Sequence, residues 1–459
     1  MLPRQLKRIA GVPVWALAGL AVLSGCSERE RILKGERIDI RVPLERSAGL
    51  VSDPDSETVS YIDFLAFPNR SRPVALTDMR SYGVWPQLNG NAAHRIQHPA
   101  ISPSPERIWS ISVGRGNDRS HRITAAPVAA EGFIFALDSM SEVSAYGSQG
   151  KRVWSRSLVP PFEQTSDASG GGLAYENGAL FVTTGFGYLY ALRASTGEII
   201  WSQKFEAPAS NAPTIADGRV FVVTQDSQAW AIDSEFGRVL WRRRGTEAAA
   251  TTPTGATPAI RGDLAIIPFP SGEVQAVEAE SGQLRWTVSV GGKRQAAARS
   301  TLQAISGAPV IDNGVVYVAN QSGKMSAIDI QSGVVLWTVS EGSASPVWPT
   351  GGSVFLVSDA AELVRLDAST GGHVWSVPLP EYKSRFLRRK KAVFTNFGPI
   401  LAGGRLIVAS GDGAIRFFDP TNGSLTGVID LDGGAAAMPI VVSGTLYVVS
   451  DQGRLIAYR

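Results

Sequence analysis

The sequence predicts an all-β fold, an eight-bladed β-propeller whose blades are four-stranded antiparallel sheets. Three observations carry that expectation. A unit opening on a small residue, usually followed by proline, recurs eight times between Ala126 and Arg459. Its strands alternate with period 2 and are rich in Val, Ile, Tyr and Phe. Its tryptophans, Trp109, Trp154, Trp201, Trp241, Trp286, Trp337 and Trp375, return every 38 to 51 residues, the length of one blade.

The head of the chain is a targeting signal. Arg4, Lys7 and Arg8 precede an apolar run from Ile9 to Leu23, and Leu23-Ser24-Gly25-Cys26 follows. A basic start, a short apolar stretch and small residues before a cleavage point describe a secretory signal peptide over residues 1–25. Leu-Ser-Gly-Cys resembles the lipobox of bacterial lipoproteins, which implies that Cys26 becomes the first mature residue and carries the lipid. Cys26 is the single cysteine, so intramolecular disulfides are excluded. Residue 27 is Ser; the lipoprotein resemblance associates Asp there with retention in the inner membrane, so the periplasmic face of the outer membrane is expected.

Residues 26–104 are expected to form a lipid-anchored tether and pre-propeller segment. Ser27 to Arg46 is charged, and Val51 to Arg72, with Asp53-Pro54-Asp55 and Pro68-Asn69-Arg70, reads as linker. Trp85-Pro86-Gln87-Leu88-Asn89-Gly90-Asn91 resembles a segment that precedes the first blade in quinoprotein-like propellers, and is expected to pack on the ring.

The propeller is expected over residues 105–459. Each unit has a short opening strand (Ala126-Pro127-Val128, Ala212-Pro213-Thr214, Ala308-Pro309-Val310), a turn, and an alternating strand such as Val220-Phe221-Val222-Val223 or Leu446-Tyr447-Val448-Val449. A third strand ends near an acid, as in Trp230-Ala231-Ile232-Asp233, and a glycine then stands four residues before the tryptophan of a fourth strand (Gly237/Trp241, Gly333/Trp337). One unit keeps Gly423 but has Gly427 in place of Trp, which marks the tryptophan as a packing device. The last unit stops after three strands, while Arg107-Ile108-Trp109-Ser110-Ile111-Ser112-Val113 is a fourth-strand segment with no preceding strands of its own. Joining the two closes the ring and removes a sheet edge.

Composition suits a large β domain, with 44% hydrophobic residues, 48 Gly and 27 Pro. The formal charge of +3 is that of Arg4, Lys7 and Arg8, since no acid precedes Cys26. A mature chain without net charge argues against nucleic-acid binding.

Little in the chain suggests catalysis. His94, His98, His121 and His373 lack metal-ligand spacing, and Asp233, Asp329, Asp367 and Asp419 recur at equivalent turns, which suits turn capping. Ser169-Gly170-Gly171-Gly172 and Gly291-Gly292-Lys293 lack phosphate-loop spacing. No cofactor or metal site is expected.

The spacing Ala-x-Asp-x-x-x-Gly-x-x-x-Trp, clearest at Ala231–Trp241 and Ala327–Trp337, resembles the pyrroloquinoline-quinone (PQQ)-like propeller repeat, in which tryptophans dock neighbouring blades. Enzymes and non-enzymes share that repeat. Together with the lipoprotein signal it resembles one family, the BamB-type lipoproteins of the outer-membrane β-barrel assembly machinery. Arg244-Gly245-Thr246-Glu247-Ala248-Ala249-Ala250-Thr251-Thr252 looks like that family's Arg-Gly-x-x-x-x-Thr-Thr loop. The resemblance implies a non-catalytic scaffold binding the periplasmic domains of the barrel-assembling outer-membrane protein, and other members of that complex, through inter-blade loops. Arg244 is the residue carried over, with Arg243 beside it; hydrophobic residues of the family loop are here Arg242 and Arg243, and acids of the following loop fall on Ala304 and Ser306. A second candidate is the basic loop Lys383–Lys391 with Arg388 and Arg389, suited to an acidic partner, to anionic head groups, or to solvation alone. Two other readings stay open: an envelope PQQ-dependent dehydrogenase, and a propeller binding peptide or cell-wall material.

Overall fold

A computed structural model describes residues 69–248, 255–291, 304–384 and 392–459. The described residues form eight four-stranded antiparallel sheets, and in seven of them each strand pairs with the next in sequence. In blade 3, Thr214–Ala216, Arg219–Val223, Gln228–Asp233 and Val239–Arg244 run from the axis outward. The inner three strands are buried almost throughout and the fourth is mostly exposed, as a wedge requires when its outer edge meets water. In blade 8, Ile440–Val442, Thr445–Val449 and Arg454–Tyr458 are completed by Arg107–Ser112, with Trp109 opposite Ala457 and Ser112 opposite Arg454. The ring is closed from both ends of the chain, as the incomplete last repeat predicts.

Blades are joined by one repeated contact. The indole Nε1 of Trp154 donates to Ala194 O of blade 2 at 2.8 Å, and Trp241 to Ala279 O of blade 4 at 3.0 Å. Trp109, Trp201, Trp286, Trp337 and Trp375 donate in the same way to Ser148, Ser234, Ile330, Ala368 and Pro420. The next blade's turn glycine lies flat on the indole: a Cβ on Gly197 would stand 2.5 Å from Trp154, and one on Gly282 2.7 Å from Trp241. These glycines also have φ near +70°, where a side chain is disfavoured. The motif glycine therefore serves the tryptophan of the preceding blade, which explains why Gly423, packed on Trp375, persists where its own strand has Gly427.

The four-stranded pattern places first and third hairpin turns on one face of the ring, and the middle turns and inter-blade connections on the other. Residues 69–104 cross the first face as a belt. Trp85 exchanges backbone hydrogen bonds with Ala129 of blade 1, Pro86 O accepts from Tyr175 N of blade 2, and the Gln87 side chain brackets Ile215 of blade 3. Ala92 and Ala93 carbonyls accept from Ile260 and Ile311 of blades 4 and 5, Pro99 O from Gly403 of blade 7, and Tyr82 O from Ser443 of blade 8. In blade 6 the buried Arg365 donates to the carbonyls of Arg72 and Pro73. The reading of Asn69 to Arg72 as linker is corrected here. Arg70 N donates to Val374 O at 2.8 Å, and the Asn69 side chain pairs with the Ser376 backbone.

His94 is a belt residue whose side chain is fully enclosed, its Nδ1 2.8 Å from Pro309 O. Burial lowers its pKa from 6.5 to about 4, only partly opposed by that carbonyl. Between pH 6.5 and 4 the unfolded chain binds a proton that the fold refuses, so stability should fall as pH drops through that window, by at most about 3 kcal/mol. His94→Gln should lower the melt at pH 7.5 yet flatten its decline towards pH 4.5. An equally steep decline in the variant would assign the acid lability elsewhere.

Candidate functional site

The belt closes one end of the central channel and leaves a cup of about 590 Å³ open towards the inter-blade connections. Leu88 of the belt contributes to its lining, and Thr124, Ser210, Thr257, Ser306 and Thr395 ring the wall from separate blades. Among the described residues one carboxylate, Asp451, and two amides, Asn117 and Asn211, line it; Asp451 Oδ1 accepts from Gly434 N at 2.9 Å, Asn117 Oδ1 accepts from Ile123 N at 2.6 Å, and Asn211 Nδ2 donates to Ala256 O at 2.8 Å. A single carboxylate among the described lining residues, already accepting a backbone N–H, does not fit a divalent metal bound with a quinone, which needs several converging anionic oxygens. Asp233, Asp329, Asp367 and Asp419 instead accept backbone N–H bonds within their own turns.

The histidines are likewise occupied by structure. His98 accepts from Gly404 N at 2.7 Å and contacts Thr77 O at 2.8 Å, tying the belt to blade 7. On the open face, His121 holds Asp118 through Nδ1 at 2.9 Å and Ser166 O through Nε2 at 2.9 Å. Both partners are acceptors, so the imidazolium satisfies both; the Ser166 carbonyl and then Asp118 raise the His121 pKa. Hydrogen bonds from His121 and from the His121 and Ser120 amides hold Asp118 down to about 2. The brace is present in full below the ordinary imidazole range and is lost as pH rises past the raised value.

Arg244 ends the outer strand of blade 3 and points into solvent, its side chain 66% exposed. Its surroundings are rigid. Gly245 lies against the Phe269 ring of blade 4, where a Cβ would stand 2.4 Å from it, and Thr246 N donates to Glu273 Oε2 at 2.7 Å. Glu247 is 3.9 Å from Arg244, an exposed pair of little energetic weight. Arg243 faces the other way, donating to the Gln275 side chain and, at 3.3 Å, to Gly282 O of blade 4. Arg242 lies over the Trp230 ring at 5.8 Å. Arg242 and Arg244 are both exposed, whereas Arg243, a candidate contact by sequence, is half-buried and bonded across to blade 4. Cys26, Arg388, Arg389, Thr251 and Thr252 lie outside the described residues.

The family model for outer membrane protein assembly factor BamB matches residues 139–377. The BamB of Salmonella typhimurium is 30% identical over 359 residues, covering 77% of this chain and 88% of that protein. The chain belongs to the BamB family. The BamB of Escherichia coli is 29% identical over 355 residues, covering 76% of this chain and 88% of its own length.

Solved structures agree on the fold. BamB from Moraxella catarrhalis superposes with a TM-score of 0.64 at 19% identity, over 78% of this chain and all of the other. A europium-containing methanol dehydrogenase gives 0.62 at 14% identity, over 80% and 89%. At such identity the likeness concerns architecture, which assembly factors and dehydrogenases share.

The positions where sequence resemblance puts acids of the family loop are occupied differently here. Ala304 is buried, and Ser306 donates to Ser343 O at 3.1 Å inside the cup. Sequence reasoning also missed Phe162, which is fully exposed in the connection from blade 1 to blade 2; Pro160-Pro161 before it was the available signal.

The contrast between the neighbouring arginines is measurable. Arg243→Ala should cost about 1–2 kcal/mol in chemical denaturation, because it strands the Gln275 amide and removes an inter-blade hydrogen bond. Arg244→Ala should leave stability within about 0.5 kcal/mol of the parent.

Proposed function

We propose that this chain is a non-catalytic scaffold of outer-membrane β-barrel assembly, held at the periplasmic face of the outer membrane by a lipid on Cys26. Its open ring face captures the periplasmic domains of the barrel-assembling outer-membrane protein. The relatives are named assembly factors of the outer membrane. The observation that carries the contact is Arg244, an unburied guanidinium on a stalk fixed by Gly245 and Thr246. A preorganised cation loses little side-chain freedom on binding and can form charge-assisted bonds to a partner carboxylate.

Arg244→Glu should weaken capture of those purified periplasmic domains by roughly tenfold or more, since reversal adds repulsion to the lost contact. The thermal melt should not change. Wild-type protein that captures no such domain would overturn the scaffold reading; unchanged capture by Arg244→Glu would move the contact elsewhere on the ring.

Anchoring is tested separately. Cys26→Ser should leave the ring folded and shift the protein from the membrane to the soluble periplasmic fraction. Its retention on membranes after a salt wash would overturn the lipid anchor.

A further inference from the structure

The connection between blades 1 and 2, residues 158–170, holds Phe162 completely in water, at 101% exposure, whereas other large exposed apolar side chains among the described residues reach at most 58%. The side chain is free but its support is not. Pro160 and Pro161 limit the backbone, and Glu163 N donates to Pro160 O at 3.1 Å, closing a turn with Phe162 at its tip. Gln164 N donates to Asp167 Oδ2 at 2.7 Å. His121 holds Ser166 O, and Ser169 Oγ bonds both N and O of Arg122, so the loop is braced on the neighbouring connection. Leu158, buried, anchors its start.

The bracing connection is basic. Arg115, Arg119 and Arg122 are exposed and form no ion pair with another described residue, while Asp118 is occupied by His121. A fully wetted aromatic ring on a stiff turn, braced by a connection that carries exposed guanidinium groups, matches the make-up of an interface hot spot, an aromatic anchor with an electrostatic rim. Because the loop is already ordered, docking it costs little conformational entropy.

We propose that Phe162 is an anchor by which the open face engages a protein partner, entering an apolar pocket whose rim carries carboxylates opposite Arg119 and Arg122. A protein fits better than an anionic lipid surface. Glu163 and Asp167 on the same loop would be repelled by a continuous negative surface, whereas a pocket can set its acids against the arginines alone. The inference rests on the proposed scaffold reading, in which this face meets the partner, and adds a contact separate from Arg244.

The test measures binding of full-length protein to the purified periplasmic domains of the barrel-assembling protein, with association and dissociation followed separately. Phe162→Ala should weaken affinity roughly tenfold or more, mainly through faster dissociation. Arg119→Glu/Arg122→Glu should slow association, most at low salt. Phe236→Ala, an exposed aromatic at a third-hairpin turn on the belt face, should change nothing, and all melts should match the parent. Wild-type affinity in Phe162→Ala, with Arg244→Glu still defective, would overturn the anchor and leave the scaffold reading standing. Absence of binding by the wild type would overturn both. Phe162-dependent binding to phosphatidylglycerol vesicles, without an effect on the protein domains, would assign the loop to the membrane and overturn the protein pocket.

Discussion

The ring depends on the contact between a tryptophan of one blade and a glycine of the next. Each indole fills the gap between two wedge-shaped sheets, donates its N–H to a carbonyl across the gap, and leaves no room for a β-carbon on the turn above it. Apolar burial is strong but nondirectional; the N–H bond and the glycine contact add direction and spacing. The contact is missing once, between blades 7 and 8, and both halves are missing together. Blade 8 is assembled from the two ends of the chain, so it has no continuous third hairpin to carry a glycine, and blade 7 has Gly427 where the indole would stand. There Tyr458 of blade 8 donates to Asp430 O of blade 7 at 3.1 Å.

Closure by both chain ends needs support, and the belt supplies it on one face. The belt meets the blades one after another through backbone hydrogen bonds, so its sequence is constrained mainly at a few side chains. Arg365 is the clearest. In blades 1 to 5 the residue opposite the docking tryptophan is alanine, and here it is a buried arginine whose donors reach Arg72, Pro73, Pro420 and Thr421 carbonyls. A buried guanidinium is tolerable only when its donors are met, and the incoming belt provides the acceptors.

With one face covered by the belt, the other presents the inter-blade connections. Arg244 ends an outer strand where an inter-blade connection begins, and Phe162 sits on such a connection; these connections vary in length without disturbing the wedge packing below them. Neighbouring elements brace both positions: the fit of Gly245 on Phe269 follows Arg244, and the His121 and Ser169 contacts hold the loop that carries Phe162. Among the described residues the cup is lined by hydroxyls, apolar side chains, the Asn117 and Asn211 amides, Arg122 and Lys383, and by one carboxylate, Asp451, which accepts from Gly434 N.

Much of the fold was legible in the sequence because a propeller writes its architecture locally. Strand alternation, the turn glycine and the recurring tryptophan are each set within one repeat, and the missing strand at Arg459 and the surplus strand at Trp109 announce closure. The candidate site was legible only in part. Arg242, Arg243 and Arg244 form a single basic run in sequence, yet strand alternation and the neighbouring blade turn Arg243 inward to Gln275 and leave Arg244 in water. Asn69 to Arg72 has the composition of a linker, and becomes part of the belt because blades 6 and 7 offer it unpaired backbone groups and Arg365. Phe162 looks like an ordinary apolar residue until no neighbour arrives to cover it. The sequence by itself determined the repeat, the blade count and the way the ring closes, since these follow from short-range period and packing volume. Only the tertiary structure decided which side chains stay in solvent, since exposure depends on residues far along the chain that ring closure brings alongside.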